Sequence, residues 1–241
     1  MKYRPHYPLA AIDYICSELE LDAGSIVADL GSGTGISAKP LLERGITVYA
    51  IEPNDEMRHA QAEYLDVFET IRGIKGTSES TTLLDASVDH AIAAQAFHWF
   101  DPIATRHELK RILRPNGKLG LLWNERLTET TPFLRDYEAL LHAFSTDYES
   151  VDHRNITEER LATFFENGFT SLSFKNVQHV DLDALTGRLK SCSYVPAKGE
   201  PRFAEMIEAL TKLFVSYQSN GEVSLDYDCK VFVGIVVGAI K

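Results

Sequence analysis

The run Val27–Gly35 (VADLGSGTG) sets Asp29 two residues ahead of a glycine series, Gly31, Gly33 and Gly35, with Ser32 and Thr34 in between. Glycines at alternate positions let a backbone turn tightly and come close to a ligand. Glu52 lies seventeen residues beyond Gly35, at the end of the apolar run ITVYAI, where a carboxylate can accept hydrogen bonds from both hydroxyls of a ribose. Alone, a glycine turn also serves strand-to-helix packing, and Glu52 is an ordinary surface acid; in this order the pair points to a nucleotide-like ligand. Charge narrows the choice. The loop reads GxGxG, not the GxGxxG of dinucleotide binding, Asp29 would repel a pyrophosphate, and no Lys-Ser/Thr pair follows for Walker-type phosphate binding. A carboxylate at the loop entrance suits a ligand end carrying an ammonium and a sulfonium.

A second chemical cluster, Gln95–Phe100 (QAFHWF), follows the strand-like run HAIAAQ. Ligands in open α/β sheets sit outside the carboxyl ends of the strands, which puts this segment beside the glycine loop. His98 is the candidate general base or acceptor-orienting group, because an unperturbed imidazole titrates near neutral pH; a histidine hydrogen-bonded for structure in a tight aromatic turn is the alternative. Phe97, Trp99 and Phe100 could wall water away from a sulfonium, although two of the three read as core. Asp101 before Pro102 reads as a helix N-cap and not as a catalytic acid. Trp123 and Asn124 end another strand-like run, KLGLLWN, and face the same crevice, where they could contact the acceptor; an aromatic strand end packed on a helix is the alternative. The eight histidines show no HxxxH or HExxH spacing, so no metal site is predicted.

These side chains need a scaffold, and the hydrophobic pattern supplies one. Residues 9–20 place Leu9, Ile12, Ile15, Cys16 and Leu19 at helical spacing. The runs SIVADL, ITVYAI, IRGIK, HAIAAQ and KLGLLWN then alternate with helix-like stretches, which implies a parallel sheet covered on both faces. Pro40 falls inside the helix after the first strand, so that helix must start late or kink. After Asn124 the alternation stops: helices are expected over 133–144, 157–166 and 200–218, a strand over 170–177, and one or two strands over 223–240. The fold class is α/β, a doubly wound, mostly parallel seven-stranded sheet with helical insertions in the C-terminal half.

VADLGSGTG, VYAIEPN, ASVDHAIAAQAFHWF and LRPNGKLGLLWN, in that order over residues 25–125, resemble the successive motifs of class I S-adenosylmethionine-dependent methyltransferases. The opening YRPHYP and the later SCSYV resemble the small-molecule, trans-aconitate methyltransferase-like group. The resemblance implies that Gly31, Ser32, Gly33, Thr34 and Gly35 pass under the methionine and ribose of S-adenosylmethionine, with Asp29 orienting the loop and the amino group. It implies that Glu52 holds the ribose hydroxyls, that Pro53 and Met57 flank the adenine, and that Gln95 and Ala96 line the methionine end. Met57 fits helix packing equally well. Where family members commonly carry acid, small residue, acid after the third strand, this chain reads Thr77-Ser78-Glu79, leaving the adenine amino group to Ser78 and Glu79. Tyr3, Arg4 and Tyr7 match an N-terminal lid, and Tyr137, Arg188, Ser193 and Tyr194 fall where acceptor contacts would lie. The implied activity is methylation of a small molecule, with S-adenosylhomocysteine as product; a non-catalytic module that binds the donor for regulation is the alternative.

With 241 residues, 44% hydrophobic and 24% charged, the chain reads as one domain with a full core: residues 1–24 a lid and helix, 25–125 the donor-binding half, 126–241 the acceptor-side helices and terminal strands. Thirty-five acids against 24 bases, a net charge of -11, disfavour a nucleic-acid partner. The basic cluster Arg106, Lys110, Arg111 and Arg114 reads as a solvated helix face. Cys16, Cys192 and Cys229 are isolated, which fits a reducing cytoplasm. Pro and His interrupt the first fifteen residues too early for a signal peptide, and the apolar run Val231–Ile240 is about half of the ~20 residues a membrane helix needs. A cytoplasmic monomer or homodimer without membrane contact is expected.

Overall fold

The computed structural model describes residues 4–145, 158–165, 168–192 and 194–236. Five strands form the parallel part of one sheet: β1 (Ile26–Leu30), β2 (Thr47–Ile51), β3 (Ile71–Ile74), β4 (His90–Ala94) and β5 (Lys118–Arg126). Two longer strands complete it, β6 (Phe169–Val180) and β7 (Val223–Ile235), in the order β3-β2-β1-β4-β5-β7-β6. β1 pairs in parallel with both β2 and β4, as β2 does with β3 and β4 with β5. β7 runs the other way: Leu127 N–H donates to the Asp226 carbonyl while Val236 N–H donates to that of Gly117. β6 opposes it in turn, since Thr170 meets Val233 and His179 meets Ser224.

Both faces of the parallel part are buried, and the strand period of two sorts its side chains between them. Ala28, Leu30, Ala91, Ala93, Leu119 and Leu121 join Leu109 and Ile112 of helix α4 (Pro102–Ile112) and Phe164. Val27, Val48, Ala50, Ile92 and Leu122 join helices α1 (Leu9–Glu18) and α2 (Ala38–Leu42) on the other face. Pro40 is accommodated by the late start: α2 is five residues long and holds the proline in its first turn. Helix α3 (Asp55–Tyr64) follows β2. In the next crossover, Asp101 Oδ1 accepts from the Ile103 and Ala104 N–H groups, the predicted cap of α4.

Contacts divide the described chain into two compact units. The sheet unit comprises residues 6–124, 158–165, 168–174 and 229–236; the helical unit comprises 4–5, 125–145, 175–192 and 194–228. Within the helical unit, helices α5 (Pro132–Phe144), α7 (Leu182–Lys190) and α8 (Phe203–Tyr217) have their own core, including Phe133, Tyr137, Leu185, Leu189, Leu210 and Tyr227. Helix α6 (Glu158–Ala162) belongs to the sheet unit. The terminal region carries one strand, β7, over its described part. Among the described residues no helix is long and apolar enough to cross a membrane. Arg111 and Arg114 of the basic cluster pair with Glu108, Asp85 and Asp89.

Candidate functional site

Strand order reverses direction between β1 and β4, and the loops after these two strands leave adjacent carboxyl ends. The glycine loop occupies that switch point. Gly31, Gly33 and Gly35 all have left-handed backbones, with φ of +65°, +54° and +85°. Their surroundings differ. A Cβ on Gly35 would lie 2.6 Å from Leu65 Cδ1 and one on Gly31 equally close to Ala96 Cβ, whereas one on Gly33 would meet nothing within 4 Å. Gly31 and Gly35 therefore pack the loop onto its neighbours, and Gly33 borders open space.

Side chains hold the loop in this shape. Gln61 on α3, 2% exposed, donates from Nε2 to Ser32 Oγ at 2.8 Å and to the Gly33 carbonyl at 3.2 Å. Ser32 N–H donates to the Ile51 carbonyl at 3.0 Å, tying the loop to the end of β2. Glu52 follows directly, 8% exposed, accepting Gly33 N–H on Oε2 at 3.0 Å and Asn54 N–H on Oε1 at 2.9 Å. Each carboxylate oxygen keeps one lone pair for a ligand. Arg58 Nη1 braces the turn by donating to the Glu52 and Pro53 carbonyls at 2.7 and 2.9 Å. Pro53 and Met57 are exposed; Met57 is 41% so, and of its two expected roles core packing falls away.

Asp29, at the end of β1, is fully buried. Oδ2 accepts from Ser37 Oγ at 2.7 Å, while Oδ1 has no hydrogen-bond partner among the described residues. Burial raises its pKa to about 7, against the Ser37 hydrogen bond and with a smaller push from the Glu52 charge. An orphaned buried carboxylate oxygen is costly until a cation or a donor reaches it. A group with an ammonium at one end and vicinal hydroxyls at the other fits this donor and acceptor set; a diphosphate does not.

After β4, Gln95 takes a left-handed φ of +55° and Ala96 is buried against Gly31. The Gln95 side chain turns to the Asn124 backbone, so only its main chain and Ala96 remain for a ligand. Phe97–Trp99 form one turn of 3-10 helix. Phe97 and Phe100 are core, 1% and 8% exposed, and Trp99 is 76% exposed, which settles which aromatics pack. The half-buried His98 ring lies 4.6 Å from the Trp99 ring and 5.3 Å, edge-on, from buried Trp123.

Ser78 is buried and accepts from Thr105 Oγ1 at 3.1 Å. Glu79 Oε1 accepts Asp101 N–H at 3.0 Å; partial burial raises its pKa, but this and neighbouring hydrogen bonds outweigh it and leave the carboxyl below its usual range. Both are thereby anchored to the start of α4. Thr34 is half-buried in the loop. Tyr7 packs on the α1 face of the sheet, where Asn124 Nδ2 donates to the His6 carbonyl at 3.4 Å. Arg4 is exposed and belongs to the helical unit, as do Tyr137, Arg188 and Tyr194. Tyr3 and Ser193 lie outside the described residues. Sequence reasoning missed Ser37, Gln61 and Arg58. Gln61 carried a faint signal, an amide at an inward position of an otherwise charged helix; the others carried none.

Residues 28–121 match the family model described as a methyltransferase domain. An uncharacterized methyltransferase of Mycobacterium tuberculosis is 43% identical over 123 residues, 51% of this chain and 48% of that protein, so the match spans about half the relative's length. One of Geobacillus thermodenitrificans is 30% identical over 172 residues, 68% of this chain and 78% of the relative. Among solved structures, one from Anaeromyxobacter dehalogenans assigned as a type II methyltransferase superposes with a TM-score of 0.67 at 25% identity, covering 98% of this chain and 99% of the other.

Proposed function

The chain belongs to the class I S-adenosylmethionine-dependent methyltransferases, and on that premise we propose that it methylates an oxygen, nitrogen or carbon of a small-molecule acceptor, releasing S-adenosylhomocysteine. The observation that carries this reading is the buried Asp29 carboxylate with one unsatisfied oxygen, in the same loop whose Gly33 N–H braces Glu52. S-adenosylmethionine supplies an electrophilic methyl on a sulfonium when bound. Asp29 would take its amino group, directly or through a water, and Glu52 its ribose hydroxyls. Pro53 and Met57 offer apolar area to the adenine, and Ser78 and Glu79 stand as partners for its amino group.

The chain's contribution to the chemical step is chiefly placement, since methyl transfer needs the nucleophile in line behind the methyl. His98 orients the acceptor and takes its proton where the acceptor holds one at neutral pH; a carboxylate acceptor needs no base. Trp99 and Trp123 flank the imidazole.

Calorimetric titration with S-adenosylmethionine, S-adenosylhomocysteine and NAD tests the donor. Both sulfur ligands should bind and NAD should not; binding of NAD alone would overturn the reading. A metabolite extract incubated with methyl-labelled donor should then yield one labelled product. Donor binding with no labelled product would favour a regulatory module.

A further inference from the structure

Helix α3 buries one residue, and that residue is polar: Gln61, 2% exposed. A core filler at this position would be apolar, because a buried amide is costly unless its hydrogen bonds are made. Here they are made to the glycine loop. Nε2 donates to Ser32 Oγ at 2.8 Å and to the Gly33 carbonyl at 3.2 Å, and since only the NH2 end can donate to a carbonyl, Gly33 decides which way the amide faces. A Cβ on Gly35 would lie 3.2 Å from Gln61 Cγ, so that glycine gives the side chain its passage. The bonds close a circuit on Glu52. Its Oε1 accepts Asn54 N–H at 2.9 Å, Asn54 Oδ1 caps α3 by accepting Met57 N–H at 3.0 Å, Gln61 lies one turn further along, and Gly33 returns its N–H to Glu52 Oε2 at 3.0 Å. Each Glu52 oxygen is thus oriented by one arm of the circuit, and Gln61 joins the arms.

We propose that Gln61 is a positioning residue for the methyl donor, fixing the Gly33 peptide and through it the Glu52 carboxylate that receives the ribose hydroxyls. This role rests on the donor assignment above and acts through Gly33 and Glu52, not on the ligand itself. Gly33 borders open space and has no side chain to pack, so only hydrogen bonds limit its backbone. Its N–H on Glu52 holds the peptide before it; the bond from Gln61 to its carbonyl holds the peptide after it. Without Gln61 the loop samples other backbone angles, Gly33 N–H leaves Oε2 part of the time, and the donor must reorder both on binding. Ser32 extends the grip, since its Oγ also reaches the Ile51 carbonyl at 3.4 Å, directly before Glu52.

The test titrates S-adenosylmethionine and S-adenosylhomocysteine into the full chain by calorimetry, for wild type, Gln61→Met, Gln61→Glu, Glu52→Gln and the double variant Glu52→Gln with Gln61→Met. Thermal melts are taken on the same samples. Methionine keeps the volume and removes the donor, so both ligands should bind about tenfold more weakly. The carboxyl in Gln61→Glu donates only when protonated, and burial raises its pKa. Its affinity relative to wild type should be down about tenfold or more near pH 8.5 and recover to within about threefold near pH 6. A residue that only packs would lower the melting temperature without that recovery. In the Glu52→Gln background, Gln61→Met should cost less than about threefold, because both act through Gly33. Gln61→Met binding like wild type, a Gln61→Glu ratio flat across pH, or losses that multiply in the double variant would each overturn the proposal. Wild type that binds neither ligand would instead remove the donor assignment, and this role with it.

Discussion

Gln95 grips Asn124 by both ends of its side-chain amide, accepting Asn124 N–H on Oε1 at 2.6 Å and donating from Nε2 to the Asn124 carbonyl at 3.4 Å. With Gln95 N–H on the Leu122 carbonyl at 3.0 Å, the grip extends the β4–β5 pairing beyond the last residue of β4. It is made from a left-handed backbone, φ +55°, which costs a non-glycine residue about 1–2 kcal/mol. Gln95→Ala keeps the strain and loses the grip; Gln95→Gly loses the grip and releases the strain. In urea denaturation the alanine variant should fall about 1–3 kcal/mol below wild type, with the glycine variant above it, the reverse of their order in an ordinary strand. Alanine equal to wild type would mean that the grip contributes nothing.

Gly33 and Gly35 separate binding from folding. Alanine at Gly35 puts a methyl 2.6 Å from Leu65, while at Gly33 it meets open space; both sites need a positive φ. Gly35→Ala should therefore destabilise by several kcal/mol. Gly33→Ala should cost only about 1 kcal/mol in stability, yet weaken S-adenosylmethionine about tenfold or more by filling ligand space. Thermal melts and donor titrations of the pair check this; a Gly33→Ala protein with normal donor affinity would move the ligand elsewhere.

Asp29 makes donor binding depend on pH. Its carboxyl titrates near 3.8 when unfolded and at about 7 in the fold. Between those values the native state holds more protons, so this group's contribution to stability declines as pH rises from about 4 to about 7, by up to ~1.4 kcal/mol per pH unit. A bound ammonium favours the ionised form, so donor affinity should rise from about pH 5.5 to about pH 8, with proton release on binding. Calorimetry in two buffers of different ionisation enthalpy measures that release. Asp29→Asn should abolish it, bind more weakly and lose less stability than wild type over the same pH range. A wild-type affinity flat across the range would sink the assignment.

His98 has a distinguishing signature in kinetics. If it takes the acceptor's proton, His98→Gln lowers kcat about 10²-fold or more, leaves donor affinity unchanged and removes the acidic limb of the pH–rate profile. A histidine that only packs against Trp123 would instead lower the melting temperature and leave the pH profile's shape intact.

The strand runs were legible because buried parallel strands are nearly continuous apolar stretches, and the caps because Asp101-Pro102 and the glycines act within a few residues of themselves. Glu52 and Asp29 were legible because the loop fixes their distance along the chain. Gln61 acts on Ser32 across 29 positions, and Ser37 on Asp29 by one rotamer choice; nothing local records either. Gln95 was placed correctly at the end of β4, but its side chain turned to Asn124, because a left-handed φ redirects the Cβ in a way that residue type does not announce. The separate core of the helical unit was equally hidden: its helices show periodicity, which says that a face is buried and not what it is buried against.

Glu108 ties the loop before β4 to α4 and sets an acid limit on the donor site. It accepts Thr81 N–H at 2.7 Å and Thr81 Oγ1 at 2.6 Å, and pairs with Arg111 at 2.7 Å. Burial alone would raise its pKa; the Arg111 and Thr81 bonds overcome that and hold it at about 2, below the ordinary 4.5. A depressed carboxyl contributes stability that is complete above the unfolded value and is lost as pH falls through the folded one, here between about 4.5 and about 2. Thr81 lies two residues after Glu79, whose carboxylate holds Asp101 N–H, so loosening Glu108 also frees the segment carrying Ser78 and Glu79. Glu108→Gln should weaken the fold at neutral pH by about 1–3 kcal/mol and flatten the decline in acid. Urea midpoints measured against pH for both proteins should converge near pH 2. Parallel curves that never meet would place the acid sensitivity in another carboxyl.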